Sequence, residues 1–165
     1  MSRLHWIAVS TAGRLAIMAR PRADDWLEAE LAGWKISGID LVVSLLDQTE
    51  VCELGLQREP DLCRANGIEF VSFPIVDRGV PESRHAALQI ANSIADGVAL
   101  GRSIGIHCRA GIGRSSMIAA CALICLGVEA GHALTLIGTA RGLSVPDTDE
   151  QRDWIMAFGQ AHQAP

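Results

Sequence analysis

The stretch that decides the fold joins a β-rich apolar run to an apolar helix through a loop with two glycines, and it reads Ile106-His107-Cys108-Arg109-Ala110-Gly111-Ile112-Gly113-Arg114-Ser115-Ser116. Residues 103–107 predict a short buried strand, and the run 115–126, which is apolar almost all round, predicts a helix enclosed by other elements. In such a loop, backbone N–H groups can point inward around an oxyanion, and the helix N-terminus adds partial positive charge. The stretch therefore predicts an anion-binding site.

The side chains of this loop predict covalent chemistry on a bound phosphate. Arg114 follows Cys108 by six residues, returns to the same pocket and can bind two phosphate oxygens with its planar guanidinium. Cys108 then lies beneath the phosphorus, where the amides, the helix end and Arg114 favour the nucleophilic thiolate. Gly111 and Gly113 permit the tight curvature. The predicted phosphate-binding residues are Arg109, Ala110, Gly111, Ile112, Gly113 and Arg114.

Strand and helix patterns alternate along the rest of the chain. Predicted strands are 4–9, 15–19 (paired with the first, with Gly13 turning between them), 39–46 and 69–76; predicted helices are 24–38, 82–101, 129–140 and 147–161. Segment 48–67 predicts short helical turns interrupted by Pro60. We expect an α/β fold over a single domain, 1–165, with a central mostly parallel sheet of about four to five strands and helices on both faces.

Composition excludes several classes of protein. A length of 165 residues fits one domain, and a formal charge of −5, from 14 Lys and Arg against 19 Asp and Glu, disfavours a nucleic-acid partner. The longest apolar run, 117–126, is about half of a membrane span, so we expect no membrane span. The five cysteines form no Cys-x-x-Cys pair, which favours reduced thiols and a cytoplasmic location. The histidines show no metal-ligand spacing, so neither a metal nor another cofactor is expected.

A second Cys-x5-Arg pattern tests how specific the first one is. Cys52 and Arg58 have the same spacing as Cys108 and Arg114, but their loop has one glycine and places Glu53 beside the thiol. That loop does not join a buried strand to a buried helix, and its acid would repel an anion. The context therefore favours Cys108 as the nucleophile.

The segment His107-Cys108-x-x-Gly111-x-x-Arg114-Ser115 resembles the HCxxGxxR[ST] signature of the cysteine-dependent protein tyrosine phosphatases. Residues 74–81 resemble the general-acid loop of the compact dual-specificity branch, in its small bacterial members, and residues 145–151 resemble the segment before its last helix. The resemblance covers about residues 39–158. It implies a protein phosphatase acting on phosphotyrosine, and on phosphoserine and phosphothreonine as well, that is inhibited by phosphate-like oxyanions.

The resemblance also assigns roles to single residues. Cys108 attacks phosphorus, Arg114 and the loop amides hold the oxygens, and Asp77 protonates the leaving oxygen and then acts as the base. In four supporting expectations, Ser115 assists the thiolate as leaving group, His107 orients the loop by hydrogen bonds while facing away from the phosphate, Gln151 positions the attacking water, and Cys52 forms a reversible disulfide with Cys108.

Alternatives stay open for several of these assignments. Asp77 could be a plain turn residue, with Asp47 or Glu82 as the acid, and Arg78 could be a solvated surface residue rather than a substrate contact. Cys121 and Cys125 are expected to fill the core. A phosphoinositide or small-molecule phosphatase of the same fold is a second possible function, although the loop carries Ala110 and Ile112 where such enzymes tend to carry Lys. A non-catalytic phosphate-binding module is a third.

Overall fold

A five-stranded sheet with helices on both faces organises the chain in the computed structural model, which describes residues 1–163. The strands are β1 (His5–Ile7), β2 (Arg14–Ala19), β3 (Leu41–Ser44), β4 (Glu69–Ser72) and β5 (Ser103–Cys108). The helices are α1 (Leu27–Ile36), α2 (Gln48–Glu53), α3 (Glu59–Ala65), α4 (Arg84–Ala99), α5 (Arg114–Cys125), α6 (Ala130–Arg141) and α7 (Asp149–Gln163). The order in the sheet is β1-β2-β5-β3-β4, and only β1 runs antiparallel to its neighbour. The predicted fold class is confirmed.

Two apolar cores lie on opposite faces of this sheet because neighbouring residues of a strand point to opposite sides. Ile17 and Val43 pack in the larger core with α4, α5, α6 and α7. Met18 and Val42 pack in the smaller core with α1 and the region of α2 and α3. Helix α5 is buried along its length up to Ile124, as its all-round apolar pattern predicts.

Three predicted strands are shorter in the structure than in the sequence pattern, and β1 covers only His5–Ile7 of the predicted 4–9. β3 ends at Ser44 and β4 at Ser72, whereas the apolar runs continue to 46 and 76. Pro74 has no amide hydrogen to donate to a neighbouring strand, so regular pairing ends beside it. The freed segment leads to residues Asp77–Pro81, which we call the acid loop, beside the carboxyl end of β5.

The segment 48–67 holds two ordered helices rather than turns interrupted by Pro60. Asp47 and Glu50 form a reciprocal capping box that begins α2. Pro60 lies in the first turn of α3, where a missing N–H is tolerated, so the prediction that it interrupts the helical segment is wrong. Within residues 1–163, no helix is long and apolar enough to cross a bilayer.

Candidate active site

The loop between β5 and α5 depends on glycine at two positions. Gly111 has a φ of +69°, and a Cβ there would lie 2.5 Å from the carbonyl carbon of Met18. A Cβ on Gly113 would lie 2.8 Å from the Oε1 of Gln151. Gly111 is therefore needed for its positive φ and its close approach to the Met18 backbone, and Gly113 for its close approach to the Gln151 side chain.

Side chains and amides outside the loop hold its carbonyl groups. Arg141, in the last turn of α6, donates from Nε to the Gly111 oxygen at 2.9 Å and from Nη2 to the Ala110 oxygen at 3.3 Å. The backbone amide of Arg20 donates to the Arg109 oxygen at 3.3 Å. Because these carbonyls are bonded to neighbouring elements, the loop amides are left to face the opposite side, where an oxyanion can bind.

A cavity of about 230 Å³ opens above the loop. Its lining consists of Asp77, Arg78, Cys108, Arg109, Ala110, Ile112, Gly113, Arg114, Asp147 and Gln151. The Cys108 thiol is nearly buried at its base, and its Sγ lies 3.5 Å from the Ser115 hydroxyl oxygen. The structure thus brings the predicted nucleophile, arginine and acid to one cavity.

Arg114 is fixed by a buried ion pair with Glu50, a residue that the sequence analysis did not select. Nη1 and Nη2 of Arg114 bond the two Glu50 carboxylate oxygens at 2.6 and 2.9 Å, and Nη1 also donates to the Ile75 oxygen at 2.8 Å. Burial is the largest single influence and opposes ionisation of Glu50, but the hydrogen bonds from Arg114 and the Asp47 amide, together with the charges of Arg114 and Arg109, hold the pKa of this carboxyl below its ordinary value. Burial also disfavours the charged form of Arg114, and the Glu50 hydrogen bond and neighbouring anionic groups raise the pKa of the guanidinium despite it.

Asp77 lies at the rim of the cavity and reaches the same guanidinium. Its Oδ1 is 3.1 Å from Nη2 of Arg114, and its side chain is half-exposed. The next residue, Arg78, has a φ of +60°, unusual for a residue other than glycine, and its Nη1 lies 3.3 Å from Asp147 Oδ2. Arg78 therefore bridges the mouth of the cavity.

The two alternative acids lie elsewhere. Asp47 uses its carboxylate to cap α2, where it accepts from the Glu50 amide at 2.9 Å. Glu82 is exposed and does not contribute to the cavity lining. Of the three acids considered from the sequence, Asp77 is the one in the cavity.

Gln151 lies fully buried beside the loop, with both ends of its amide bonded to protein. Its Oε1 accepts from the backbone amides of Asp147 and Thr148 at 3.1 and 3.2 Å, and its Nε2 donates to the Gly79 oxygen at 3.1 Å. It thus connects the start of the last helix to the acid loop.

His107 lies on the opposite face of β5 from the nucleophile. Its Nε2 is 2.8 Å from the Glu59 carboxylate, and its ring centroid is 6.1 Å from that of Trp34. Nδ1 lies 3.4 Å from the Cys108 carbonyl oxygen. The ring faces away from the cavity and acts on the loop through the backbone, so an orienting role stays the prediction for it.

The other cysteines differ sharply in their surroundings. Burial raises the pKa of the Cys63 thiol to about 12 and that of Cys121 well above its ordinary value. Burial also raises the pKa of Cys125, which is partly exposed. These three thiols are poor nucleophiles at neutral pH, which leaves Cys52 as the exposed competitor of Cys108.

Cys52 lies on α2, two residues after Glu50. Two residues correspond to about 200° around a helix, so the helix that aims Glu50 at the cavity directs Cys52 to its outer face. Cys52 is exposed and accepts a hydrogen bond from Gln48 at 3.5 Å. A disulfide with Cys108 would need movement of α2; it stays a prediction, which mass spectrometry of peroxide-treated protein checks.

Three partners of the loop escaped the sequence analysis: Glu50, Glu59 and Arg141. Only Glu50 carried a local signal, because Asp47-x-x-Glu50 is a capping-box pattern, and that pattern predicts a helix start rather than an ion pair. Each of the three contacts the site through the tertiary fold.

Comparison with known proteins places the chain in a family. Residues 1–157 match the family model described as PTP-SAK, Swiss Army Knife protein, DSP-PTPase phosphatase domain. The protein tyrosine phosphatase PRL-1 of Leishmania major is 32% identical over 111 residues, 62% of this chain and 62% of that protein. Cyclin-dependent kinase inhibitor 3 of Rattus norvegicus is 29% identical over 126 residues, 75% of this chain and 59% of that protein. The chain spans between 48% and 62% of the length of the curated relatives it matches.

Solved structures agree with this assignment. Tk-PTP in its active form superposes with a TM-score of 0.76 at 27% identity, covering 94% of this chain and 97% of the other. Kinase associated phosphatase, with its catalytic-site cysteine replaced by serine, superposes with a TM-score of 0.89 at 22% identity, covering 99% and 97%, and supports the fold alone. Since the family model covers all but the last eight residues, and the cysteine loop, its arginine and the acid line one cavity, the chain belongs to the DSP-PTPase domains of the cysteine-based protein tyrosine phosphatase superfamily.

Proposed function

We propose that this chain is a cysteine-based phosphomonoester hydrolase that removes phosphate from phosphotyrosine in proteins, and from phosphoserine and phosphothreonine. The observation that carries the proposal is the shared cavity, in which Cys108, Arg114 and Asp77 supply a nucleophile, an oxyanion clamp and an acid. No cofactor enters the scheme, because these side chains and the loop amides supply every group that the chemistry needs.

Substrate binding rearranges the contacts of Arg114. Glu50 and Ile75 occupy Nη1, while Nη2 divides its two hydrogens between Glu50 and Asp77. A phosphate in the loop takes the Nη2 hydrogen that Asp77 holds, together with Nε–H, and so completes a bidentate contact. Asp77 is then released toward the leaving oxygen at the cavity rim.

Hydrolysis proceeds in two displacements at phosphorus. The Cys108 thiolate forms an S–P bond as the P–O bond to the leaving group breaks, and the leaving oxygen takes a proton from Asp77, which gains that proton from solvent once it has left Arg114. In the second step the Asp77 carboxylate takes a proton from water, the water oxygen bonds to phosphorus, and the S–P bond breaks. Ser115, 3.5 Å from Sγ, donates a hydrogen bond to the departing thiolate, and inorganic phosphate is released.

The cavity supports a broad range of substrates. Among the described residues, its lining includes no aromatic side chain that would stack on a phenyl ring, and Arg78 and Arg109 make its mouth polar. We therefore propose dual specificity, competitive inhibition by phosphate-like oxyanions and, from the free cysteines, a cytoplasmic location.

The test uses the leaving group to isolate Asp77. Asp77→Asn keeps the shape and removes the proton, so activity on a phosphotyrosine peptide should fall by about 10²- to 10⁴-fold, while a fluorinated coumarin phosphate, whose leaving group departs unaided, should lose far less. In the pH dependence of the rate, the decrease on the basic side should flatten, while the decrease on the acidic side persists. Glu82→Gln, an exposed acid nearby in sequence, is the matched control. Equal losses on both substrates would show that Asp77 only shapes the loop.

A second measurement separates the proposal from its alternatives. Cys108→Ser should abolish turnover of p-nitrophenyl phosphate, whereas a phosphate-binding module would show none in the unaltered protein. A panel of phosphotyrosine peptide, phosphoserine peptide and phosphoinositide distinguishes protein from lipid substrates. Preference for the phosphoinositide by kcat/KM would replace the protein substrate with the lipid and leave the catalytic roles intact.

A further inference from the structure

We propose that Gln151 is a positioning residue that holds the acid loop over the cavity through its hydrogen bond to Gly79, and that it does not orient the attacking water. This inference rests on the proposed function, since it concerns how Asp77 reaches the substrate. The carrying observation is a fully buried amide whose Nε2 donates to the Gly79 oxygen at 3.1 Å, two residues after the acid.

The orientation of the Gln151 amide follows from its partners. Two backbone N–H groups, of Asp147 and Thr148, face one end at 3.1 and 3.2 Å, and only an oxygen can accept from them. The carbonyl of Gly79 faces the other end, and only the NH₂ group can donate to it. No other rotamer of the amide group satisfies all three bonds.

These bonds leave the Gln151 carbonyl oxygen unable to accept a hydrogen bond from water. The carbonyl oxygen of the amide has two lone pairs, and two backbone amides already use them. One hydrogen of Nε2 remains, and it can donate to a water oxygen but cannot accept the hydrogen by which a carbonyl oxygen would fix that water. The acid loop is therefore the part of the site that Gln151 controls.

Besides the contact of Asp77 with Arg114 and the packing of Val80 against the larger core, the acid loop has one ion pair within residues 1–163. Arg78 pairs with Asp147 across the mouth, but both side chains are substantially exposed, and such pairs contribute little. Gly79 donates its own amide to the Val76 oxygen at 2.8 Å, which shapes the turn without attaching it to the rest of the protein. The buried Gln151 amide supplies the directional contact.

Gln151 also has a purely structural role, which the test must separate. Its backbone amide donates to the Thr148 hydroxyl oxygen at 3.1 Å, and its Oε1 accepts from the Thr148 amide in return, so the pair forms a capping box for α7. Glutamate serves this position of a capping box equally well. Gln151→Glu therefore keeps the cap, while it replaces the donor to Gly79 with an oxygen that faces the carbonyl.

The experiment compares how much activity each variant loses on a substrate with a poor leaving group and on one with a good leaving group. Gln151→Glu and the uncharged Gln151→Met should each lose about tenfold more kcat/KM on a phosphotyrosine peptide than on a fluorinated coumarin phosphate, the factor that one hydrogen bond contributes. The negative charge of Glu repels the phosphate dianion of either substrate equally, so its effect cancels in the ratio of the two losses. Thr148→Ala weakens the cap, keeps the bond to Gly79 and should leave this ratio unchanged. Circular dichroism confirms that each variant is folded.

Rapid quenching with ³²P-labelled peptide identifies the step that slows. Loss of loop positioning slows the first displacement for a poor leaving group, so the Gln151 variants should accumulate no phosphoenzyme. A burst of phosphoenzyme from the peptide would assign Gln151 to the water and overturn the inference, as would equal losses on both substrates or no loss at all. Absence of turnover by the unaltered protein on either substrate would instead contradict the proposed function.

Discussion

Replacing Glu50 tests whether a buried ion pair outside the signature loop prepares the arginine for phosphate. Glu50→Ala removes both carboxylate oxygens from Arg114 and leaves a guanidinium that is 2% exposed with its charge partly uncompensated. Removing one partner of such a pair costs about 3–5 kcal/mol. Arg114 keeps the Ile75 oxygen and Asp77, so the lower end of that range, about 3 kcal/mol, is expected.

The loss should appear in both stability and activity. For a chain of this size about 3 kcal/mol lowers Tm by about 6–12 °C at pH 7. Because Nε and Nη2 are no longer held toward the loop, kcat/KM should fall by about 10²-fold, the value of one charge-stabilising donor. Glu50→Gln keeps the capping box and one oxygen that can accept from Arg114. Its Tm and kcat/KM should lie between those of Glu50→Ala and the unaltered protein.

Thermal unfolding and steady-state kinetics, run side by side, decide the matter. Glu53→Gln, on the exposed face of the same helix, is the matched control and should behave as the unaltered protein. Since the folded-state pKa of Glu50 is depressed, the pair stabilises fully above pH 4.5 and loses its contribution as the pH falls through the folded value. A Tm within about 2 °C of the unaltered protein, or unchanged kcat/KM, would show that the Glu50 carboxylate does not prepare Arg114 for phosphate.

Three further outcomes are expected. Iodoacetate at pH 6 should label Cys108 before Cys52, with inorganic phosphate protecting it; faster labelling of Cys52 would contradict the site assignment. Arg141→Ala should lower kcat/KM and phosphate affinity about tenfold, because two hydrogen bonds to loop carbonyls are lost. Arg141→Lys should restore little, since one ammonium group cannot bond both carbonyls. Unchanged inhibition of Arg141→Ala by phosphate would contradict a role for Arg141 in shaping the loop. Burial opposes ionisation of Glu30, but hydrogen bonds from the Ser2 amide, the terminal amino group and Arg22 lower its pKa to about 2. The stability that ionised Glu30 contributes should therefore be lost as the pH falls from 4.5 to 2. The Tm of Glu30→Gln should lack this part of the decrease at low pH.

Local patterns predicted the centre of the site because its parts are close in sequence. The buried strand, the glycine loop and the buried helix that carry Cys108 and Arg114 are consecutive, and backbone geometry alone directs the amides of such a loop. The alternation of strands and helices likewise predicted the mostly parallel sheet, because parallel strands require crossover helices. The ends of β3 and β4 were harder to predict, because the apolar residues Leu45, Leu46 and Ile75 beyond them are still buried, and periodicity does not distinguish them from strand residues.

From the sequence alone, Cys108 and Arg114 could be predicted as nucleophile and phosphate-binding arginine, and helices could be predicted on both faces of the sheet, because these predictions depend on residue type at short spacing. The contacts that hold Cys108 and Arg114 in place could be identified only in the tertiary structure. Glu50 meets Arg114 across 64 residues, Arg141 meets Gly111 across 30, and Gln151 meets Gly79 across 72. Such contacts form because the packed sheet brings distant segments to one edge, and a polar side chain gives no sign in the sequence of which distant group it will meet.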